Sequence, residues 1–179
     1  AWGNLLYSVK TGKSARSRLL GTDGFDHLEH DPAAAEAFYQ ATVELAHSSA
    51  QAILAAYDFS GCARIADIGG GYGELLISIL RANPSAVGVL FDLPQAIHGA
   101  GKHLERSGVK NRCDLVEGDF FRGVPSGCDV YLLKSVLHDW RDDRALQILH
   151  VCRKAMGDTA RLLIIEEQLP EHRGHSSNS

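Results

Sequence analysis

The chain has 179 residues, 18 basic against 22 acidic for a formal net charge of −4, and 45% of it is hydrophobic. That length fits one domain with a short appendage, and the composition is ordinary for a globular protein. The charge lacks the basic face that nucleic acid requires, no apolar run approaches the ~18 residues of a membrane span, and no secretory leader heads the sequence, so a cytoplasmic protein without nucleic-acid or membrane partners is expected.

Residues 1–30 are mixed and punctuated by glycine, and read as a linker with a short helix. Asp31-Pro32 opens a helix: aspartate caps well and proline suits the first position. The stretch from Ala33 to about Tyr57 is rich in alanine and other helix formers, and Gly61 ends the loop that follows. Ala63–Ile68 is a short apolar run with the look of a buried strand. Glu74–Arg81 is helical, with Leu75, Leu76, Ile79 and Leu80 at helical spacing and Pro84 as its stop.

Val87–Phe91 predicts a second strand, Pro94–Ser107 a helix ended by Gly108, Cys113–Glu117 a third strand and Asp129–Lys134 a fourth. Asp142–Met156 predicts a helix with Ala145, Leu146, Leu149, Cys152 and Met156 on one face and Gly157 as its stop. Arg161–Glu166 is a fifth strand. Short apolar strands separated by helices imply βαβ units, an α/β fold whose parallel sheet is covered on both faces. Such sheets bind ligands at the carboxyl ends of their strands, beside the switch point. The cysteines Cys62, Cys113, Cys128 and Cys152 form no C-x-x-C pair and lie in or beside apolar runs, so buried free thiols in a reducing compartment are expected.

Chemistry is therefore sought just after each strand. The first runs into Asp67-Ile68-Gly69-Gly70-Gly71-Tyr72-Gly73 and then a helix. Glycine lets the backbone turn sharply and lets a ligand come close. Gly69 and Gly71 fit the first two positions of the dinucleotide fingerprint, but Glu74 occupies the third. A carboxylate there repels a pyrophosphate, so a ligand with an amino-acid moiety and no phosphate matches better.

Asp92 ends the second strand, some twenty residues past the glycine loop, where an acid accepts from ribose hydroxyls; the alternative is that it caps the following helix. Asp119 and Phe120 follow the third strand. They suit an adenine's amine and ring, or else are a solvated loop aspartate and a core phenylalanine. The fourth strand ends in the most specific stretch, Leu133-Lys134-Ser135-Val136-Leu137-His138-Asp139-Trp140.

Taken together, the glycine loop, Phe91-Asp92-Leu93-Pro94, Gly118-Asp119-Phe120-Phe121, Lys134, His138-Asp139-Trp140 and Glu166 through Pro170 resemble the small-molecule O-methyltransferases. These include plant caffeic-acid and flavonoid enzymes, hydroxyindole methyltransferase and bacterial polyketide-tailoring enzymes. Trp2, Val9 through Lys13, Asp31-Pro32 and Phe38-Tyr39 are also similar to that family, so the resemblance covers nearly the whole chain.

It implies a Rossmann-like class I methyltransferase sheet that binds S-adenosylmethionine and yields S-adenosylhomocysteine. Asp67, Gly69, Gly71, Asp92, Leu93, Asp119, Phe120 and Lys134 are the implied cofactor-binding residues. His138 is the implied general base and Glu166 one of two acids that orient it, with a small-molecule hydroxyl, phenolic in character, as acceptor. No metal is implied, and His27, His30, His47, His98, His103, His150, His172 and His175 receive no role. The family carries a dimerisation domain before this region and two strands after it. A homodimer is therefore implied for the full-length protein. The chain is expected to be a truncated piece: a helical linker and lid over 1–60, the cofactor-binding core over 61–170 and a polar tail over 171–179.

Two other readings meet contrary residues. An oxidoreductase of the dinucleotide-binding type shares the fold class but conflicts with Glu74. A methyltransferase-like protein that binds the cofactor without transferring methyl conflicts with the presence of both His138 and Glu166.

Overall fold

The computed structural model describes residues 2–20 and 25–167. The glycine-punctuated opening forms two short helices, α1 (Leu5–Thr11) and α2 (Ala15–Leu20), where the sequence predicts one. Gly12 ends α1 in the left-handed region, φ 65°. A long helix, α3 (Pro32–Ala56), follows; the Asp31 side chain caps it by accepting from Ala34 N at 3.0 Å, as the Asp31-Pro32 pair predicts.

The alternating region forms β1 (Arg64–Ile68), α4 (Glu74–Ala82), β2 (Val87–Asp92), α5 (Pro94–Ser107), β3 (Cys113–Glu117), β4 (Val130–Lys134), α6 (Asp142–Ala155) and β5 (Arg161–Ile165). The five strands are parallel in the order β3-β2-β1-β4-β5. The chain steps outward from β1 through β2 to β3, then crosses back to β4 on the other side of β1. The switch point thus lies between β1 and β4, where the loops leaving the two strands diverge and open a crevice.

The strands alternate between two cores with the period of two that a sheet imposes. Ile65, Leu90 and Leu132 pack with α3, α4 and α5 on one face. Ala66, Val89, Tyr131 and Leu133 pack with Ile148 and Cys152 of α6 on the other. Helix α4 is buried almost all round, between the sheet and α3, and its Leu76, Ile77, Ile79 and Leu80 are fully enclosed.

Helix α6 keeps most of its predicted face, with Cys152 buried and Leu149 and Met156 packed against the same core, but departs at Leu146 and at its stop. Ile148 and Cys152, one turn apart, are its buried residues, while Leu146 is 55% exposed. Leu146 and Ile148 are both apolar, and composition alone does not decide which of the two is buried. Met156 ends α6 in extended conformation, one residue before Gly157, so no left-handed glycine cap is formed.

Cys113, Cys128 and Cys152 are buried and Cys62 half-buried, all as free thiols. Burial pushes the thiols of Cys113 and Cys152 up to about 12 and 11, which keeps them protonated and unreactive. The predicted tail, 171–179, lies outside the described residues. Among the described residues no helix is long and apolar enough to cross a membrane.

Candidate functional site

A cavity opens at the carboxyl ends of β1, β2 and β4. Asp67, Gly69, Gly70, Gly71, Tyr72 and Glu74 line it from the first loop, Asp92 from the end of β2 and Phe120 from the loop after β3. Lys134, Ser135, Val136, Asp139 and Trp140 line it from the end of β4. Of the ten residues singled out from sequence, Asp67, Gly69, Gly71, Asp92, Phe120 and Lys134 meet here.

The glycine loop takes conformations that only glycine holds cheaply: φ is 72° at Gly69 and 59° at Gly71. A Cβ on Gly69 would stand 3.0 Å from Val136 Cγ2, and one on Gly71 would stand 3.5 Å from Thr42 Oγ1 and from Tyr39 Cδ1. Both glycines therefore leave room at the cavity wall that any side chain would fill.

Asp92 is fastened rather than free. Its Oδ2 accepts from Gly71 N at 2.7 Å and its Oδ1 from Leu93 N at 2.7 Å. Helix α5 begins with no side-chain cap, so the capping alternative for Asp92 is set aside. Burial pushes its carboxyl up to about 6, against the pull of the two N–H bonds. Leu93 does not line the cavity; its N–H holds Asp92 in place.

Asp67 is 2% exposed. Burial, with the nearby Asp92 charge, pushes it up to about 7, while Lys134 draws it down. Its ordinary value is 3.8, so the folded protein keeps a proton that the unfolded chain releases. The resulting stability is complete below the unfolded value and is lost as pH rises from about 4 through 7. At 1.36 kcal/mol per unit the loss is on the order of 4 kcal/mol. The ligand-free Asp67→Asn variant, which has no such proton to lose, should therefore lose less thermal stability than wild type between pH 4 and pH 8. Parallel melting curves across that range for the two proteins would remove Asp67 as the cause.

Asp119 sits outside the cavity. Its Oδ1 accepts from Phe121 N at 2.8 Å and closes the turn that presents Phe120. Phe120 and Phe121 meet Trp140 edge-on, at ring-centroid distances of 5.9 and 4.7 Å, and Arg144 lies 3.5 Å over the Phe121 ring. This aromatic group fixes one wall of the cavity.

His138 and Glu166 stand together at the rim, because β4 and β5 are neighbours and Lys134 pairs with Ile165. His138 Nδ1 lies 2.6 Å from Glu166 Oε2. An ionised carboxylate only accepts, so Nδ1 carries the hydrogen and the Nε2 lone pair is the basic position. Glu166 Oε1 accepts from Val136 N at 3.2 Å and Leu137 N at 2.9 Å, which pins the turn that presents the histidine. Nε2 is 3.7 Å from Asp139 Oδ1, beyond hydrogen-bond reach.

The Glu166 hydrogen bond raises the His138 pKa above the ordinary 6.5 against partial desolvation. Burial raises Glu166, but its bonds to His138 and the backbone outweigh this and hold it below the ordinary range. The histidine ring is more than half exposed and does not line the cavity, although Val136, Asp139 and Trp140 around it do. Ser135, directly after β4, has φ 55°, an unusual value for a residue with a side chain and one typical of functional turns.

The sequence reading gave α3 only as part of a span expected to be a lid, with none of its residues assigned to the cavity, and gave Glu74 no partner. Helix α3 supplies Phe38, Tyr39, Thr42, Val43, Leu45 and Ala46 to the cavity. Leu45 and Phe38 are 66% and 37% exposed, apolar side chains turned to a cleft rather than into a core. Glu74, read from sequence only as an obstacle to phosphate, is bonded by His47 and His103, two histidines given no role. Among the described residues no set of three His, Cys, Asp or Glu side chains is arranged to hold a metal ion.

Residues 2–179 match the family model described as an O-methyltransferase domain. The chain is 46% identical over 171 residues to the phenazine O-methyltransferase PhzM of Lysobacter antibioticus, covering 96% of this chain and 50% of that protein. It is 40% identical to the mitomycin biosynthesis 6-O-methyltransferase of Streptomyces lavendulae, covering 96% and 49%. A crystal structure of the O-methyltransferase NcsB1 from neocarzinostatin biosynthesis, in complex with S-adenosyl-L-homocysteine and 1,4-dihydroxy-2-naphthoic acid, superposes with a TM-score of 0.85. It is 31% identical, over 91% of this chain and 50% of that one. The chain spans about half the length of the curated relatives it matches. Its parallel sheet, its glycine-lined crevice and a family match over nearly all its residues converge, and the chain belongs to the O-methyltransferase domain family.

Proposed function

We propose that this chain forms the S-adenosylmethionine-binding core of an enzyme that methylates a hydroxyl, phenolic in character, on a small molecule, with His138 as general base. The observation that carries this reading is the His138–Glu166 pair, a histidine with its basic nitrogen left open, at the rim of a glycine-walled cavity. The cavity suits the cofactor. Asp67 and Asp92 are buried carboxylates that favour a cationic ligand and, with Glu74, oppose a pyrophosphate.

Gly69, Gly71, Asp67, Asp92, Phe120 and Lys134 would hold the cofactor, with Leu93 and Asp119 setting Asp92 and Phe120 in place. When bound, S-adenosylmethionine supplies a methyl group already activated as a sulfonium. The protein's own work is then alignment and proton removal. A free phenol has a pKa of about 10 against about 6.5 for histidine, so complete prior deprotonation costs about 4.8 kcal/mol. His138 Nε2 therefore takes the hydroxyl proton as the oxygen forms its new bond. Glu166 narrows the gap by raising the histidine's basicity and faces the imidazolium that results.

Only neutral His138 accepts a proton, so the rate rises with pH as the histidine deprotonates, along a limb placed above the ordinary 6.5. Glu166→Gln keeps an acceptor for the Val136 and Leu137 N–H groups but loses the charge. It should move the limb to lower pH and lower the plateau rate. A limb that stays in place would separate Glu166 from the base.

Binding gives a second check. Titration calorimetry should show S-adenosylhomocysteine bound in preference to NAD; tighter binding of NAD would overturn the cofactor assignment. The exposed apolar residues Leu5, Leu6 and Val9 of α1 support a homodimer as the working form.

A further inference from the structure

Helix α3 covers the cofactor loop, and two polar ties hold it there. Near its start, Tyr72 Oη donates to Glu36 Oε2 at 2.6 Å, and the Tyr39 and Tyr72 rings stack with centroids 5.0 Å apart. Eleven residues further on, His47 Nδ1 lies 2.9 Å from Glu74 Oε1. Eleven residues are three helical turns, so Glu36 and His47 project from one face about 16 Å apart. The cavity-lining residues Tyr39, Thr42, Val43 and Ala46 all fall between these ties.

Both ties land on the exit of the glycine loop, at Tyr72 and Glu74. Glu74 opens α4, where a carboxylate is favoured by the helix dipole. Its side chain is only 9% exposed, and its second oxygen is 2.8 Å from His103 Nε2 on α5. One buried carboxylate is thus gripped from α3 and from α5 at the point where the loop becomes helix.

We infer that Glu74, with His47 and His103, is a positioning clasp that holds α3 closed over the cofactor loop and so sets cofactor affinity without taking part in methyl transfer. The inference rests on the proposed cofactor site. It gives a use to the one residue that departs from the dinucleotide fingerprint, and to two histidines with no other part in the site. His47 is the informative position, because its side chain is 74% exposed and its removal deletes little packing.

The test combines His47→Ala, His47→Gln and Glu74→Ala with titration of S-adenosylhomocysteine, steady-state kinetics and amide exchange on the ligand-free protein. His47→Ala should raise the Kd and the cofactor KM about threefold to tenfold, the scale of a partly exposed charged hydrogen bond, with kcat at saturating cofactor within about twofold of wild type. His47→Gln, whose amide can still donate to Glu74, should recover most of the affinity. Adding His47→Ala to Glu74→Ala should cost nothing more, since both remove one tie. Exchange should quicken along the second half of α3 in the ligand-free His47→Ala protein.

Unchanged affinity with unchanged exchange would overturn the clasp, as would a loss of thermal stability with no change in Kd. If wild type binds no S-adenosylhomocysteine, the cofactor reading falls and with it the clasp's role in affinity. Faster exchange along α3 would then show only a structural tie.

Discussion

Replacing His138 by alanine should lower turnover by about 100-fold or more, the usual scale of losing a general base. Cofactor affinity should barely move, because the ring stands at the rim and does not line the cavity. Deletion leaves the Glu166 bonds to Val136 and Leu137 in place, so the turn keeps its course and the loss is chemical. The defect should shrink for acceptors with more acidic hydroxyls, which need less help in losing the proton. Rates on acceptors of graded acidity check this directly. Near-normal rates on every one of them would make His138 a structural residue and the mechanism wrong.

Asp92→Ala should weaken cofactor binding by roughly 1.5–3 kcal/mol, the scale of a charged hydrogen bond. Two losses act together. The ribose hydroxyls lose the acceptor proposed for them, and Gly71 N loses the carboxylate that holds the loop in its positive-φ conformation. Asp92→Asn, whose amide oxygen can still accept from Gly71, should fall between the two proteins. Calorimetry with S-adenosylhomocysteine measures all three. Affinity unchanged in Asp92→Ala would remove that residue from the site.

Elements whose ends are marked by local chemistry were legible from the sequence. Pro94 and Gly108 bracket α5, and Asp31-Pro32 starts α3; these signals act within a few residues and need no tertiary context. The clustering of Asp67, Gly69, Gly71 and Asp92 was legible for a related reason, since a parallel sheet forces successive strand ends to one edge. Within α6 the choice of Ile148 over Leu146 was not, because the two are equally apolar and only packing against Tyr131 and Leu133 chooses between them.

Pairings across long separations were hidden for the same reason. Glu74 meets His47 and His103 only because α3 and α5 come together over α4, and no spacing along the chain announces it. Asp119 and Leu93 sit beside residues that line the cavity but brace them instead: the Asp119 carboxylate accepts from Phe121 N, and Leu93 N donates to the Asp92 carboxylate. Sequence position alone does not separate a residue that lines a cavity from one that braces its neighbour.

The central claim, methyl transfer from S-adenosylmethionine to a small-molecule hydroxyl, is tested most directly by supplying the enzyme with methyl-labelled cofactor and a panel of phenols, and following the label by mass spectrometry. The account predicts a labelled product heavier by one methyl group in place of one hydrogen, methylated at oxygen, with S-adenosylhomocysteine formed in equal amount and both abolished to the same degree in His138→Ala. Tight cofactor binding with no labelled product from any phenol, or label delivered equally well by His138→Ala, would contradict it.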